Sequence, residues 1–132
     1  RSGRPALDIL LVRGNHDAHA GDPPGDWNLR VEDEPFADPG DGELSLAHFP
    51  EASGRARGPV LCGHLHPAIQ MIGPARGLRA PCFWFSARAG VLPAFGGFTG
   101  MRTVYPGPAD RVFAVGPGEI LDVGRRAAAA GR

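Results

Sequence analysis

Three short stretches of this chain carry side chains that could do chemistry together. Asn15, His16 and Asp17 are consecutive, His48 stands alone, and His64 and His66 are separated by Leu65. Imidazole nitrogen and amide oxygen are ligands for divalent cations such as manganese, iron or zinc. An imidazole titrates near neutrality, so it can also hand a proton to a leaving oxygen. Gly14 precedes Asn15 and Gly63 precedes His64. Glycine at such points is expected to let the backbone turn sharply, aiming the next side chains at one centre. In an extended chain, residues two apart share a side. His64 and His66 would then reach one metal ion, or one each of a close pair.

Apolar runs must position these groups. Leu10-Leu11-Val12 leads into the first stretch and Val60-Leu61-Cys62 into the last. Both read as buried strands. The first, over residues 6–12, is expected inside a sheet covered on both faces. The ligands would sit at the C-terminal ends of such strands, where open α/β sheets bind. Residues 44–49 read as a strand ending in His48. Further strands are expected over 29–31, 68–72, 82–86, 103–105, 111–115 and 120–123. Residues 32–42 read as an acidic turn region and 73–80 as a turn. The apolar, glycine-rich segment 90–100 is expected to cross close to the centre. Little of the chain has helical period, so strand and loop should dominate.

Composition narrows the classes. The chain has 132 residues, 42% of them hydrophobic, enough for the core of one small domain. Its formal net charge is zero, which removes the simple electrostatic case for a nucleic-acid binder. All 14 basic residues are arginine, whose planar fork suits phosphate. The 20 glycines and 14 prolines lie between apolar runs and mark turns. Cys62 and Cys82 fall in strand-like runs as small hydrophobes, which fits a reducing, cytoplasmic setting. No run approaches the roughly 18 apolar residues that a membrane helix needs.

Taken in order, Gly14-Asn15-His16-Asp17, His48 and Gly63-His64-Leu65-His66 resemble the motifs of the calcineurin-like metallophosphoesterases. Within that superfamily the chain is most similar to the bacterial ligase-associated phosphoesterases, the PdeM group. The closer likeness rests on residues 11–17, Gly21-Asp22-Pro23-Pro24, Cys62 to Pro67, Pro81-Cys82-Phe83-Trp84-Phe85 and the segment 90–100. The resemblance implies an α/β fold, the four-layer αββα metallophosphoesterase sandwich, of which this chain would be a strand-rich C-terminal portion with few helices. Residues 1–124 would be the C-terminal portion of the phosphoesterase domain and 125–132 a disordered tail. The family's Asp-x-His and Gly-Asp-x-x-Asp/His motifs, which precede Gly-Asn-His, are not found in residues 1–13.

The resemblance also assigns roles. Asn15, His48 and His64 would share one metal ion and His66 would bind a second; the resemblance implies manganese at both, with iron or zinc as alternatives. His16 would be the general acid, protonating the leaving oxygen after attack by a metal-activated hydroxide. Asp17 would orient the loop, and Arg13 is the best candidate for a substrate contact. The implied substrate is a phosphodiester, DNA among them, in a repair setting beside a DNA ligase and a helicase or exonuclease, with no membrane partner. Two other readings stay open: a catalytically incomplete module binding at most one metal, and a small-molecule phosphatase or cyclic-nucleotide phosphodiesterase. Plainer roles exist for single residues too. An Asn-His pair can cap a strand, and a lone His can be structural. Phe83, Trp84, Phe85, Phe95 and Phe98 could stack on bases or pack in the core.

Overall fold

The computed structural model describes residues 7–37, 39–40, 42–71, 78–97 and 99–123. The expected tail at 125–132 and most of the turn at 73–80 lie outside them. Eleven short strands run in chain order as β1 (Leu10–Val12), β2 (Arg30–Glu32), β3 (Phe36–Ala37), β4 (Ser45–Leu46), β5 (Val60–Cys62), β6 (Pro67–Gln70), β7 (Arg79–Phe85), β8 (Ala89–Val91), β9 (Arg102–Thr103), β10 (Arg111–Gly116) and β11 (Glu119–Asp122). The described residues add one four-residue α-helix, α1 (Asp17–Ala20), and two 3-10 turns, Gly25–Trp27 and Pro50–Gly54.

Nine strands form one curled mixed sheet in the order β11-β10-β7-β8-β5-β4-β3, with β6 and β9 extending from β7. β1 and β2 form a separate parallel pair. The four-layer αββα sandwich expected above is therefore not what these residues build. A helical layer needs helices of several turns with an apolar stripe, and α1 has four residues, none of them buried. Frequent glycine and proline keep apolar runs short, which permits brief strands and tight turns instead.

Period-two alternation accounts for the sheet. Val112 and Ala114 of β10 are buried, and Cys82 of β7 lies opposite Ala114 on the same face. Trp84 packs beside them, and its indole N–H donates to Asp110 Oδ2 at 2.8 Å. The other face of β7 and β10 carries Phe83, Phe85 and Phe113, with Phe85 edge-on to Phe113 at 5.9 Å. Arg111 lies 4.9 Å from the Phe113 ring centre. β10 turns into β11 through Pro117-Gly118, where Gly118 has φ +76°. Proline followed by a left-handed glycine is the type II pattern.

The core is built from small residues in two clusters. Ala47, Ala52, Val60, Cys62 and Val91 form one, beneath the candidate site. Cys82, Val104 and Val112 form the other, and Trp84 packs against both. Burial pushes the thiols of Cys62 and Cys82 up to about 11, so both stay protonated at neutral pH. β1 departs from its expected place. It is only half-buried, and Leu7 and Ile9 before it are 80% and 48% exposed. Among the described residues no helix is long and apolar enough to cross a membrane.

Candidate active site

The candidate residues gather where three parallel strands end together. β4, β5 and β8 run side by side, with Leu46 opposite Leu61 and Leu61 opposite Gly90. Their loops therefore leave from one edge, which is where α/β sheets bind ligands. His48 follows β4 and His64 follows β5. The two loops are tied together by the Gly63 N–H, which donates to the His48 carbonyl at 3.2 Å. Asn15 reaches the same place from the end of β1.

His48 is the hub of the cluster. Its Nε2 lies 2.6 Å from Asn15 Oδ1 and 3.0 Å from His64 Nδ1. The three atoms share too few protons to satisfy one another fully. The amide oxygen only accepts, and a neutral imidazole carries one N–H and one lone pair. Donors on a common cation at ~2.0–2.2 Å sit roughly 3 Å apart when their bonds meet near a right angle. The spacing and donor types thus fit a shared divalent cation. Partial burial, then the neighbouring His64, lower the His48 pKa below its ordinary value. Lowering favours the neutral ring that a metal ligand must offer. Among the described residues no group of three or more His, Cys, Asp or Glu side chains is arranged to hold a metal ion. The third member of this cluster is an amide.

Gly14 matters for a reason different from the expected turn. Its backbone is not left-handed, and a Cβ built on it would fall 2.6 Å from His48 Nδ1. The His48 ring occupies the space a side chain would need. Gly63, by contrast, has open space around it. The left-handed residues of the second motif are the histidines themselves, His64 at φ +63° and His66 at φ +48°. Residues 64–66 are consequently not extended, and the same-side expectation for the pair does not hold. His64 turns to His48, while His66 Nδ1 lies 3.0 Å from the carbonyl of Gly100. A carbonyl can only accept, so Nδ1 bears the proton and the neutral ring keeps its lone pair on Nε2. The described contacts do not bring His66 into the Asn15–His48–His64 cluster.

The remaining candidates surround this cluster. Asp17 closes the first loop, its Oδ2 accepting the Gly14 N–H at 2.7 Å. His16 starts α1, and its exposed ring is near enough for its charge to act on His48. The Arg13 fork is held by acids. Its Nε and Nη2 donate to Asp22, and its Nη1 to Asp33, all at 2.7 Å. These bonds raise the Arg13 pKa and lower that of Asp22. The fork's role in the structure is thus to tie the loop after α1 to the end of β2.

Glu34 was not singled out by the sequence, yet it sets the position of His48. Glu34 Oε2 accepts the backbone N–H of His48 at 2.9 Å and of Phe49 at 2.8 Å, and Oε1 accepts from Arg55 at 3.1 Å. Phe49 in turn packs against the rings of His48 and His64, at 4.7 and 4.4 Å between centres. The signal was available in the pairing of β3 with β4. Phe36 lies opposite Leu46 in an antiparallel ladder. Two residues further out, the same register sets Glu34 opposite His48.

The fold and this edge define a class: a curled mixed sheet whose parallel strands present an amide and imidazoles at their C-terminal ends. No family model and no curated protein matches the chain. Among solved structures it is similar to the crystal structure of nuclease MPE from Pseudomonas putida, at 37% sequence identity and a TM-score of 0.74. The match covers 88% of this chain and 54% of that one, so the chain spans little more than half of that protein's length.

Proposed function

We propose that this chain forms part of a centre that hydrolyses phosphodiester bonds of nucleic acid with divalent cations, manganese first among them. The observation that carries the reading is the convergence of Asn15 Oδ1, His48 Nε2 and His64 Nδ1 within 2.6 and 3.0 Å. The likeness to a nuclease supports the choice of substrate class. Asn15, His48 and His64 would hold one cation, and His66 could serve a second through Nε2. A divalent cation held there would draw charge off the phosphate oxygens and ease attack at phosphorus.

The chain's own residues divide the remaining work. Glu34 and Phe49 hold His48 in place, and Asp17 fixes the loop that carries Asn15 and His16. His16, exposed beside the cluster, would deliver a proton to the leaving oxygen. General acid catalysis contributes roughly a hundredfold to ten-thousandfold. DNA, handled in repair beside a ligase and a helicase or exonuclease, is the setting that the family resemblance implies.

Manganese titration into the chain, with bound metal read directly, tests the cation site. Saturable uptake is expected, lost in His64→Ala and kept in His16→Ala. Equal uptake by the parent chain and His64→Ala would remove the reading. In a protein carrying the complete centre, His16→Ala should slow cleavage of DNA far more than cleavage of a nitrophenyl ester, whose leaving group needs no proton.

A further inference from the structure

The three residues of the cluster come from two sheets that no strand pairing joins among the described residues. Asn15 follows β1, which pairs with β2, whereas His48 and His64 follow strands of the nine-stranded sheet. The chain passes from one sheet to the other through Asp33-Glu34-Pro35, between β2 and β3. Asn15 Oδ1 lies 2.6 Å from His48 Nε2, so the two sheets must be held at a fixed offset. β1 is only half-buried, and packing alone would hold it loosely.

Asp33 and Glu34, neighbours in that passage, bind opposite sides. Glu34 Oε2 accepts the backbone N–H groups of His48 and Phe49 and fixes the passage to the large sheet. Asp33 Oδ1 accepts from Arg13 Nη1 at 2.7 Å and fixes it to the end of β1. The same guanidinium donates from Nε and Nη2 to the two oxygens of Asp22, both at 2.7 Å. Arg13 and Asp22 thus close the loop that carries Asn15 and His16. The side chains of Arg13 and Asp33 are 34% and 83% exposed, and exposed ion pairs add little to stability. The contribution of the fork is directional. Parallel N–H bonds from a rigid plane fix orientation, which a single ammonium group does not.

We propose that Arg13 is a positioning residue for the cation site, its fork bracing the β1–β2 pair against Asp33 so that Asn15 Oδ1 meets His48 Nε2. The proposal rests on the cation reading above. It gives Arg13 a task other than the substrate contact expected from its place beside the motif. Three of its N–H groups already meet carboxylates, and an incoming phosphate would have to displace or face two anions.

Arg13→Lys and Asp33→Asn test it, with Arg111→Lys, which alters the exposed pair between β10 and β11, as control. Asn15, Asn28 and Gln70 carry all the side-chain amides of the chain, so a two-dimensional amide NMR spectrum recorded without metal can follow Asn15. Its side-chain signals should move in Arg13→Lys and Asp33→Asn, while those of Gln70 stay in place. Manganese affinity should fall roughly tenfold in both variants. Their melting temperatures should stay within about 4 °C of the parent. Arg111→Lys should change neither the Asn15 signals nor the affinity. Unmoved Asn15 signals, manganese affinity equal to that of a parent that binds the ion, or an equal loss in Arg111→Lys would each overturn the positioning role and leave the cation reading in place. Moving Asn15 signals in a chain whose parent takes up no manganese would uphold the brace and remove the cation reading.

Discussion

Replacing Glu34 by alanine should unseat His48 and cost the fold several kilocalories. The Glu34 carboxylate accepts two consecutive backbone N–H groups, at 2.9 and 2.8 Å, and its side chain is only 17% exposed. Hydrogen bonds to a charged acceptor are worth about 1.5–3 kcal/mol each, and a donor left unpaired adds a desolvation cost. Water can reach part of the vacated space, so the low end applies, and the loss should be roughly 3 kcal/mol. In a domain of this size that is a fall in melting temperature of roughly 10 °C. The Arg55 arm contributes little. Its side chain is 59% exposed, and surface ion pairs contribute about 0–1 kcal/mol. Thermal unfolding followed by circular dichroism should therefore show a large fall for Glu34→Ala and a small one for Arg55→Ala. Manganese affinity should drop in the first variant only. Equal melting temperatures for the parent and Glu34→Ala, or equal losses in the two variants, would refute the clamp and leave a surface salt bridge in its place.

Gly14→Ala should break the cluster at a different point. The new methyl would meet the His48 ring at 2.6–2.8 Å, so the ring must leave Asn15 and His64, and bound manganese measured on the folded variant should fall to background. Stability should also depend on His48 protonation. Burial, then His64, lower its folded pKa below the ordinary 6.5, so between the two values the unfolded chain holds a proton that the folded chain lacks. Stability should then rise with pH through that window and level off above about 6.5; urea midpoints measured across it should lose this component in His48→Gln.

The strands were largely legible because their apolar runs are short and cleanly bounded. Val60–Cys62 forms as expected, and β10 follows the alternation of its buried valine and alanine. The association of Asn15, His48 and His64 was legible only through motif order, since those residues lie on separate strands. The backbone of the second motif was not. Nothing in Gly-His-Leu-His says that the two histidines, rather than the glycine, adopt the left-handed conformation. Histidine does so uncommonly, and only tertiary contacts impose it. Glu34 escaped notice because an acidic, proline-containing stretch reads as solvated turn. Its partner becomes visible only once β3 is paired with β4. The helical layers were an inheritance of the resemblance, and the local sequence, poor in helical period, already argued against them in the described segments.

The left-handed histidines indicate how the edge is organised. A residue held in that region costs about 1–3 kcal/mol, so His64 and His66 need contacts that offset the strain. Each has one from a different neighbour. His64 meets His48 and lies against Phe49, whose N–H is held by Glu34. His66 meets the carbonyl of Gly100, just before β9. The short turn between β5 and β6 therefore divides its two imidazoles between two supports, one reaching the candidate cation position and the other the segment that leads into β9. A shift of this turn would disturb both together, because Leu65 alone separates the two histidines.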